Sequence, residues 1–308
     1  MQTGVLVGLI VLAGCDLVYG LHGRTESPSD AVGVDARVFP TMGDVQPGTC
    51  WSPTAMPLDE DSDTIADGCD NCPALANADQ SDGDRDGVGD VCDPNPSYAV
   101  DEIVFFASMR TGSDLLEWTR RGGDWSFGVG LDGTECLRQT GSDPGVALAL
   151  AMPAAIVGPT IEVQIRAVAP TNGTDADYSS GIRAMTGALA DNPDGFGCDN
   201  FVLAGPDQLQ LHRTAGGKQD EIVTASQPVG TASPYNLRLS TFPIVDGELR
   251  PPRCTSFKGT PADVSAPEPT TIELDVPVVP IEARVSMRTF ALKADFRSLV
   301  IYGSRVGF

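Results

Sequence analysis

The sequence feature that most constrains the fold is an aspartate-rich segment, DNCPALANADQSDGDRDGVGDVCD, at residues 70–93. Residues 59–93 hold twelve acidic side chains against a single basic one, Arg85, so half of the net charge of −22 lies there. The segment has almost no side chains that could fill a hydrophobic core. It would stay disordered without neutralising cations, because like charges repel and little apolar surface can be buried.

The spacing of these aspartates is typical of a twelve-residue calcium loop. Positions 1, 3, 5, 7, 9 and 12 are Asp82, Asp84, Asp86, Val88 (through its carbonyl), Asp90 and Asp93. The same positions of an upstream loop are Asp59, Asp61, Asp63, Ile65 (through its carbonyl), Asp67 and Asp70. Glycine at position 6 permits the sharp turn of such a loop. Gly87 occupies that position, whereas Thr64 replaces glycine upstream. We therefore predict calcium as the cofactor.

The segment resembles the thrombospondin type 3 repeat, whose pattern is DNCP, then N-x-D-Q, then D-x-D-x-D-G-x-G-D-x-C-D. The resemblance covers residues 59–96 and implies an irregular, calcium-stiffened spacer with a Cys72–Cys92 disulfide. It further implies that Asn77 and Asp79 contribute oxygen ligands. The upstream loop resembles the end of a partial repeat, which implies that Cys69 pairs with Cys50.

The N-terminus contains an apolar run, Val5–Leu12, that ends in LAGC at Cys15. This run is too short to span a bilayer, which takes about 20 residues, but it has the length of a secretory signal core. LAGC resembles the lipobox of bacterial lipoproteins, which implies a signal peptide at residues 1–14 and lipidation of Cys15. An ordinary cleaved signal or a buried strand are the alternatives. Residues 15–58 are rich in Gly, Pro, Ser and Thr and are interpreted as a flexible tether.

Export and charge narrow the possible partners and cysteine chemistry. We expect an exported, membrane-anchored lipoprotein of the bacterial cell envelope, at the outer membrane or cell surface. The strong negative charge argues against nucleic acid as a partner. Disulfides are expected in an oxidising compartment, with Cys198 and Cys254 paired and Cys136 free, although Cys136 could replace either partner. The chain has two histidines, His22 in the tether and His212, which alternation places on a strand surface.

Residues 97–308 consist of short apolar stretches separated by turn-forming residues. The clearest candidates for strands lie at 102–107, 145–151, 160–168, 200–205, 208–213, 235–241, 271–276, 283–289 and 298–303. In 160–168, apolar residues alternate with Glu162, Gln164 and Arg166, as expected for a strand with one wet face. We predict an all-β fold, with twelve to fourteen strands in two antiparallel sheets.

The order of these elements resembles the concanavalin A-like, laminin G-like group. That resemblance implies a jelly-roll sandwich over residues 97–308, with Phe296 as an anchor in the last strand. The group includes sugar-binding modules, adhesion domains and glycoside hydrolases, so the fold by itself does not specify the function.

Two kinds of function remain open. A glycoside hydrolase needs paired carboxylates; Glu273 and Asp275 are the nearest pair, but Val278 stands where related hydrolases carry a third carboxylate. A sugar-binding surface could use Trp118 or Trp125, although tryptophan is commonly a core residue. The sequence favours a non-catalytic protein that binds a glycan or an extracellular protein, with a surface glycoside hydrolase as the alternative.

Overall fold

The computed structural model describes residues 58–110, 118–141, 146–151, 155–170, 178–186, 193–202, 207–226, 234–241, 243–245, 248–258, 268–277 and 281–304. The signal peptide at 1–14, the lipidation site Cys15, almost all of the tether at 15–58, His22, Cys50 and Val278 lie outside these residues. Within the described part of the chain, no helix is long and apolar enough to cross a membrane.

The described residues form β-strands and one 3-10 turn at Asp67–Cys69. The strands are β1 (Asp101–Ala107), β2 (Thr119–Arg121), β3 (Trp125–Val129), β4 (Glu135–Gln139), β5 (Val146–Ala151), β6 (Ile156–Val157), β7 (Thr160–Pro170), β8 (Tyr178–Met185), β9 (Gly195–Val202), β10 (Gln208–Ala215), β11 (Lys218–Ser226), β12 (Tyr235–Ser240), β13 (Ile244–Val245), β14 (Glu248–Leu249), β15 (Arg253–Phe257), β16 (Thr270–Glu273), β17 (Glu282–Phe290) and β18 (Leu292–Ser304). All nine predicted strands overlap observed ones. The eighteen strands observed in the described residues exceed the predicted twelve to fourteen because several of them are short and show little alternation of apolar and polar residues.

Sixteen of the described strands build two antiparallel sheets, and β13 pairs with β14 in a separate two-stranded sheet. The first sheet has the order β16-β15-β12-β7-β18-β4-β3, with β1 also paired to β18. The second sheet has the order β11-β10-β9-β8-β17-β5-β2, with β6 also paired to β17. The predicted all-β, antiparallel two-sheet jelly-roll sandwich is therefore confirmed.

The hydrophobic core lies between the two sheets. Alternation in β7 directs Ile161, Val163 and Ile165 into it, and each of these side chains is fully buried. Trp118 and Trp125 belong to the same core, so the interpretation of these tryptophans as core residues holds, and neither offers a sugar-stacking surface. Phe296 is also fully buried and lies against Trp125 with 5.5 Å between ring centroids.

A disulfide joins the two sheets across the core. Cys198 in β9 is bonded to Cys254 in β15, with 5.5 Å between Cα atoms. Cys136 in β4 is the free thiol among the described cysteines and is buried. Burial, together with the nearby Asp295 carboxylate, raises the pKa of Cys136 to about 11. The predicted pairing is the observed one, and Cys136 replaces neither partner.

Part of the outer face of the first sheet is not wet, contrary to the expectation for 160–168. Glu162, Val300 and Tyr302 point away from the core, yet each is at most 2% exposed. They are covered by the segment from Cys72 to Cys92, whose apolar residues pack on this part of the face. A bulge in β1 contributes, because the register shift between Ile103 and Phe105 places Ile103 toward the covering segment and Phe105 toward the core.

Candidate metal centre

The loop at residues 82–93 is organised by its own carboxylates. Asp82 accepts hydrogen bonds from the backbone N–H groups of Arg85 (2.7 Å) and Gly87 (3.0 Å). Asp84 accepts from the N–H of Asp86 at 3.2 Å, and Asp86 accepts from the N–H of Val88 at 2.9 Å. The aspartates at positions 1, 3 and 5 therefore fold the backbone around themselves, so their carboxylates converge.

The loop at residues 59–70 repeats this hydrogen-bond pattern. The N–H of Asp63 donates to Asp61 at 3.1 Å, and the N–H of Ile65 donates to Asp63 at 2.8 Å. The N–H of Thr64 donates to Asp59 at 3.0 Å, as that of Gly87 does to Asp82.

Thr64 adopts the backbone conformation that glycine adopts in the other loop. Its φ is 85°, close to the 94° of Gly87. A β-branched residue at positive φ is strained, and such strain persists only where the surrounding structure enforces it. The upstream loop therefore keeps the same turn geometry although threonine, and not glycine, occupies its position 6.

Three groups of carboxylates result, each with one oxygen per residue within 4.8 Å of the others. Two of them were predicted from loop spacing and consist of Asp59, Asp61 and Asp63, and of Asp82, Asp84 and Asp86. The third consists of Asp86, Asp93 and Asp101, and all three of its residues are buried.

Asp101 is a candidate ligand that the sequence analysis missed. It is the first residue of β1 and therefore part of the sandwich. Its N–H donates to Asp86 at 2.8 Å, and its carboxylate accepts from the side chain of Asn95 at 2.8 Å. Loop spacing could not reveal it, because Asp101 lies outside the twelve-residue count; an acidic residue opening the first strand directly after the repeat was the available signal.

Four carboxylates in this region each have one buried oxygen without a hydrogen-bond partner: Asp61, Asp70, Asp84 and Asp93. Burial, followed by the neighbouring Asp101, raises the pKa of Asp93 to about 9. Burial, followed by Asp70 and Asp63, raises the pKa of Asp61 to about 7. Each of these groups, when ionised, thus keeps one buried oxygen that no hydrogen-bond donor stabilises.

The donor set fits calcium. The sites offer carboxylate oxygens, which hard cations prefer, and Asp86 is shared between two groups, so it could bridge two ions. The described groups contain neither histidine nor cysteine, which argues against zinc. Magnesium retains several waters and would use so dense a set of carboxylates poorly.

The remaining predicted ligands are not brought into these three groups. Asp67 and Asp70 are buried at positions 9 and 12 of the upstream loop, whereas Asp79 and Asp90 are exposed. The side-chain oxygen of Asn77 accepts from Gln80 at 3.0 Å. Ile65 and Val88 each occupy position 7 of their loop, and the side chain of Val88 is fully buried.

Disulfides hold the repeat together. Cys72 and Cys92 are bonded, with 5.6 Å between Cα atoms, as the resemblance implied. Cys69 is also disulfide-bonded, and its predicted partner Cys50 lies outside the described residues.

Apolar residues of the repeat pack on the first sheet, so the described repeat is not a free-standing spacer. A single buried cluster unites Cys72, Leu75, Val88 and Cys92 of the repeat with Ile103, Phe257, Val300 and Tyr302 of the sheet. The sequence interpretation missed this contact because the few apolar residues of the repeat are scattered. Folding around the carboxylates and the disulfide gathers them on one side.

Arg238 in β12 forms the polar part of this contact. Its guanidinium donates to Glu162 at 2.9 and 2.6 Å and to the carbonyl of Cys92 at 3.0 Å. It also lies over the ring of Phe257, 5.8 Å from the centroid. One side chain thereby neutralises a buried carboxylate of the sheet and binds the backbone of the repeat.

The raised pKa values predict how pH affects the calcium-free chain. A carboxyl group whose pKa is higher in the folded than in the unfolded chain binds protons more tightly when folded, so it contributes stability that is lost as pH rises through the folded value. For Asp93, Asp61 and Asp70 these values are about 9, 7 and 6. We expect the urea midpoint of calcium-stripped protein to be higher at pH 5 than at pH 8.

Saturating calcium provides the control for this experiment. Because the metal binds deprotonated carboxylates, calcium should flatten or reverse the pH dependence. An unchanged or rising urea midpoint between pH 5 and pH 8 in the stripped protein would contradict the raised pKa values of these carboxyl groups in the folded chain.

The residues considered for hydrolysis do not form an enclosed pair. β16 ends at Glu273, which is exposed and forms an ion pair with Arg253. Asp275 is exposed beyond the end of that strand.

The second sheet carries a buried charged cluster on its outer face. His212 was predicted on a strand surface, and this is wrong, because it is 0% exposed. It lies beside Asp199, with 3.6 Å between Nδ1 and Oδ2, and Asp199 is held by Arg183. Sequence alternation identified the face of the strand correctly but could not show that the ring is enclosed beside Asp199 and Arg183.

The similarities between this chain and known proteins are found among solved structures. No family model matches the chain, and no curated protein matches its sequence. Among solved structures, carbohydrate-binding module CBM66 from Bacillus subtilis has a TM-score of 0.39 and 13% identity, covering 60% of this chain and 94% of that one. A protein of unknown function with a galectin-like fold from Bacillus subtilis has a TM-score of 0.43 and 11% identity, with coverages of 66% and 96%. Lectin II from Ulex europaeus has a TM-score of 0.40 and 10% identity, with coverages of 65% and 97%.

Proposed function

We propose that this chain is an exported, lipid-anchored, calcium-binding protein that presents its β-sandwich for recognition of a glycan at the cell envelope. The LAGC sequence ending at Cys15 supports the anchor, and the resemblance of residues 59–96 to a thrombospondin type 3 repeat supports the calcium sites. In this proposal the chain has no catalytic role.

The observation that carries the proposal is the buried group of Asp86, Asp93 and Asp101. Its residues are 2%, 5% and 4% exposed. Three ionised carboxylates so close together repel one another, and burial removes the water that would otherwise screen them. A divalent cation relieves both costs. Because Asp101 opens the sandwich and the other two belong to the repeat, the same ion would fasten one to the other.

The fastened repeat explains how a chain of this composition can present a defined surface. Calcium would neutralise the acidic segment, and the ordered repeat would cover part of the outer face of the first sheet. The second sheet, on the opposite side of the core, then remains as the large sheet face for a ligand. A glycan or an extracellular protein is the partner class expected for a protein presented at the cell surface.

Calcium titration by calorimetry tests the proposal. The purified chain should bind calcium saturably, and Asp101→Asn should weaken one class of sites by roughly tenfold, about 1.4 kcal/mol. Asp275→Asn is the matched control, since Asp275 is exposed and belongs to none of the three groups; it should leave the titration unchanged. Absence of binding at millimolar calcium would overturn the proposal.

A further inference from the structure

The outer face of the second sheet contains two adjacent rows of polar residues. Strand register places Arg288, Gly181, Asp199 and Gln210 side by side across β17, β8, β9 and β10. The next row on the same face contains Ser286, Arg183, Gly197 and His212. The core residues of these strands, such as Ile182 and Leu211, point the other way.

Two glycines allow the charged groups of these rows to lie flat against the sheet. A Cβ on Gly181 would lie 2.2 Å from a carboxylate oxygen of Asp199. A Cβ on Gly197 would lie 2.5 Å from the ring of His212 and 2.7 Å from the guanidinium carbon of Arg183. Any other residue at either position would force these planar groups apart.

The hydrogen bonds within the cluster leave several groups unsatisfied. Arg183 donates to both oxygens of Asp199, at 2.9 and 2.7 Å. Buried atoms without a partner are Nε of Arg183, Nε and Nη1 of Arg288, both ring nitrogens of His212, Oγ of Ser179 and Oε1 of Gln210. Buried polar atoms are rarely left without partners, and each one costs free energy.

The charges of the described cluster do not balance. Burial, followed by the charge of Arg183, lowers the pKa of His212 to about 3, so this ring is neutral. Burial alone would raise the pKa of Asp199, but Arg183 and Arg288 hold it below its usual range. Two guanidinium groups thus face one carboxylate, which leaves one positive charge within the described residues.

We propose that this cluster binds the carboxylate of an acidic sugar, with Arg288 as the main ligand for the carboxylate and Gln210 as the partner for a hydroxyl group. This deepens the proposed function and rests on it. The free guanidinium edge of Arg288 matches the two oxygens of a carboxylate. Arg288 and Gln210 are only partly buried, so this edge of the cluster is the one a ligand would reach.

The charge of the whole chain restricts the ligand further. A net charge of −22 repels a densely charged polyanion, whatever the local charge of the cluster. A sugar or short oligosaccharide with a single carboxylate would experience much less of this repulsion. Its neutral hydroxyls would also satisfy the unpartnered acceptors, which an inorganic anion cannot do.

Ligand titration of the calcium-loaded full chain at about 0.15 M salt tests this proposal; at that ionic strength surface charges are screened beyond about 8 Å. Glucuronate is the probe, with glucose, acetate and sulfate as comparisons. We expect saturable binding of glucuronate that weakens at least tenfold in Arg288→Gln and less in Arg288→Lys, which keeps the charge but loses the fork. Arg213→Gln on β10, which removes an exposed arginine paired with Asp220, is the control and should bind normally.

The outcomes separate this proposal from the function on which it rests. Equal binding of glucose and glucuronate, insensitive to Arg288→Gln, would overturn the acidic ligand and leave glycan recognition standing. Binding of acetate or sulfate alone would overturn the sugar. Absence of binding to every sugar would overturn the present proposal, whereas the calcium titration reports separately on the calcium sites.

Discussion

Stripping calcium from the purified chain should lower its melting temperature by on the order of 10 °C. A ligand present at 100 times its dissociation constant stabilises the folded state by about 2.7 kcal/mol per site, so two sites supply about 5 kcal/mol. In a chain of this size each kcal/mol shifts the melting temperature by roughly 2 °C. Differential scanning calorimetry in chelator and in millimolar calcium measures the shift.

The physical reason for so large an effect is the group of Asp86, Asp93 and Asp101. Without a cation, these buried carboxylates repel one another unless they bind protons, and this repulsion loosens the repeat from β1. Magnesium at the same concentration is the control, and it should restore only a small part of the shift. Equal melting temperatures in calcium and in chelator would show that calcium does not stabilise the folded chain.

Replacing Arg238 with glutamine should destabilise the protein by about 3–5 kcal/mol, the cost of leaving a buried charge without its partner. Glu162 would lose both hydrogen bonds from the guanidinium, and the carbonyl of Cys92 would lose its donor. Both faces of the contact between repeat and sheet would thus be affected at once. Urea unfolding in saturating calcium gives the free-energy change from the shift in midpoint.

A matched arginine shows whether the position or the residue type matters. Arg253→Gln breaks an ion pair with Glu273 that is largely exposed, and such pairs contribute about 0–1 kcal/mol. The double variant Arg238→Gln with Glu162→Gln should recover part of the loss, because no buried charge is then left unpaired. If Arg238→Gln and Arg253→Gln have equal and small effects, the contact is not held by this ion pair.

Sequence was sufficient where the information is local. The carboxylates at positions 1, 3 and 5 of each loop converge because neighbouring backbone N–H groups bind them, and this depends only on spacing. The strand containing Ile161, Val163 and Ile165 was predicted for the same reason, since alternation directs these side chains to one face.

Sequence was insufficient where distant segments meet. Alternation separates the two faces of a strand, but it cannot tell a solvated face from one that another segment covers. Glu162 and His212 were both expected at a surface, and both are buried. Asp101 was missed for a related reason, because it joins the repeat only through the tertiary contact.

The most direct test of the central claim, that calcium fastens the acidic repeat to the first sheet, is hydroxyl-radical footprinting of tyrosines with and without calcium. Tyr302 lies under the repeat and Tyr235 lies in the core, each 1% exposed, while Tyr98 is 37% exposed. We predict that Tyr302 is protected in calcium and becomes oxidised in chelator, while Tyr235 stays protected and Tyr98 is oxidised in both. Equal protection of Tyr302 in calcium and in chelator would contradict the account.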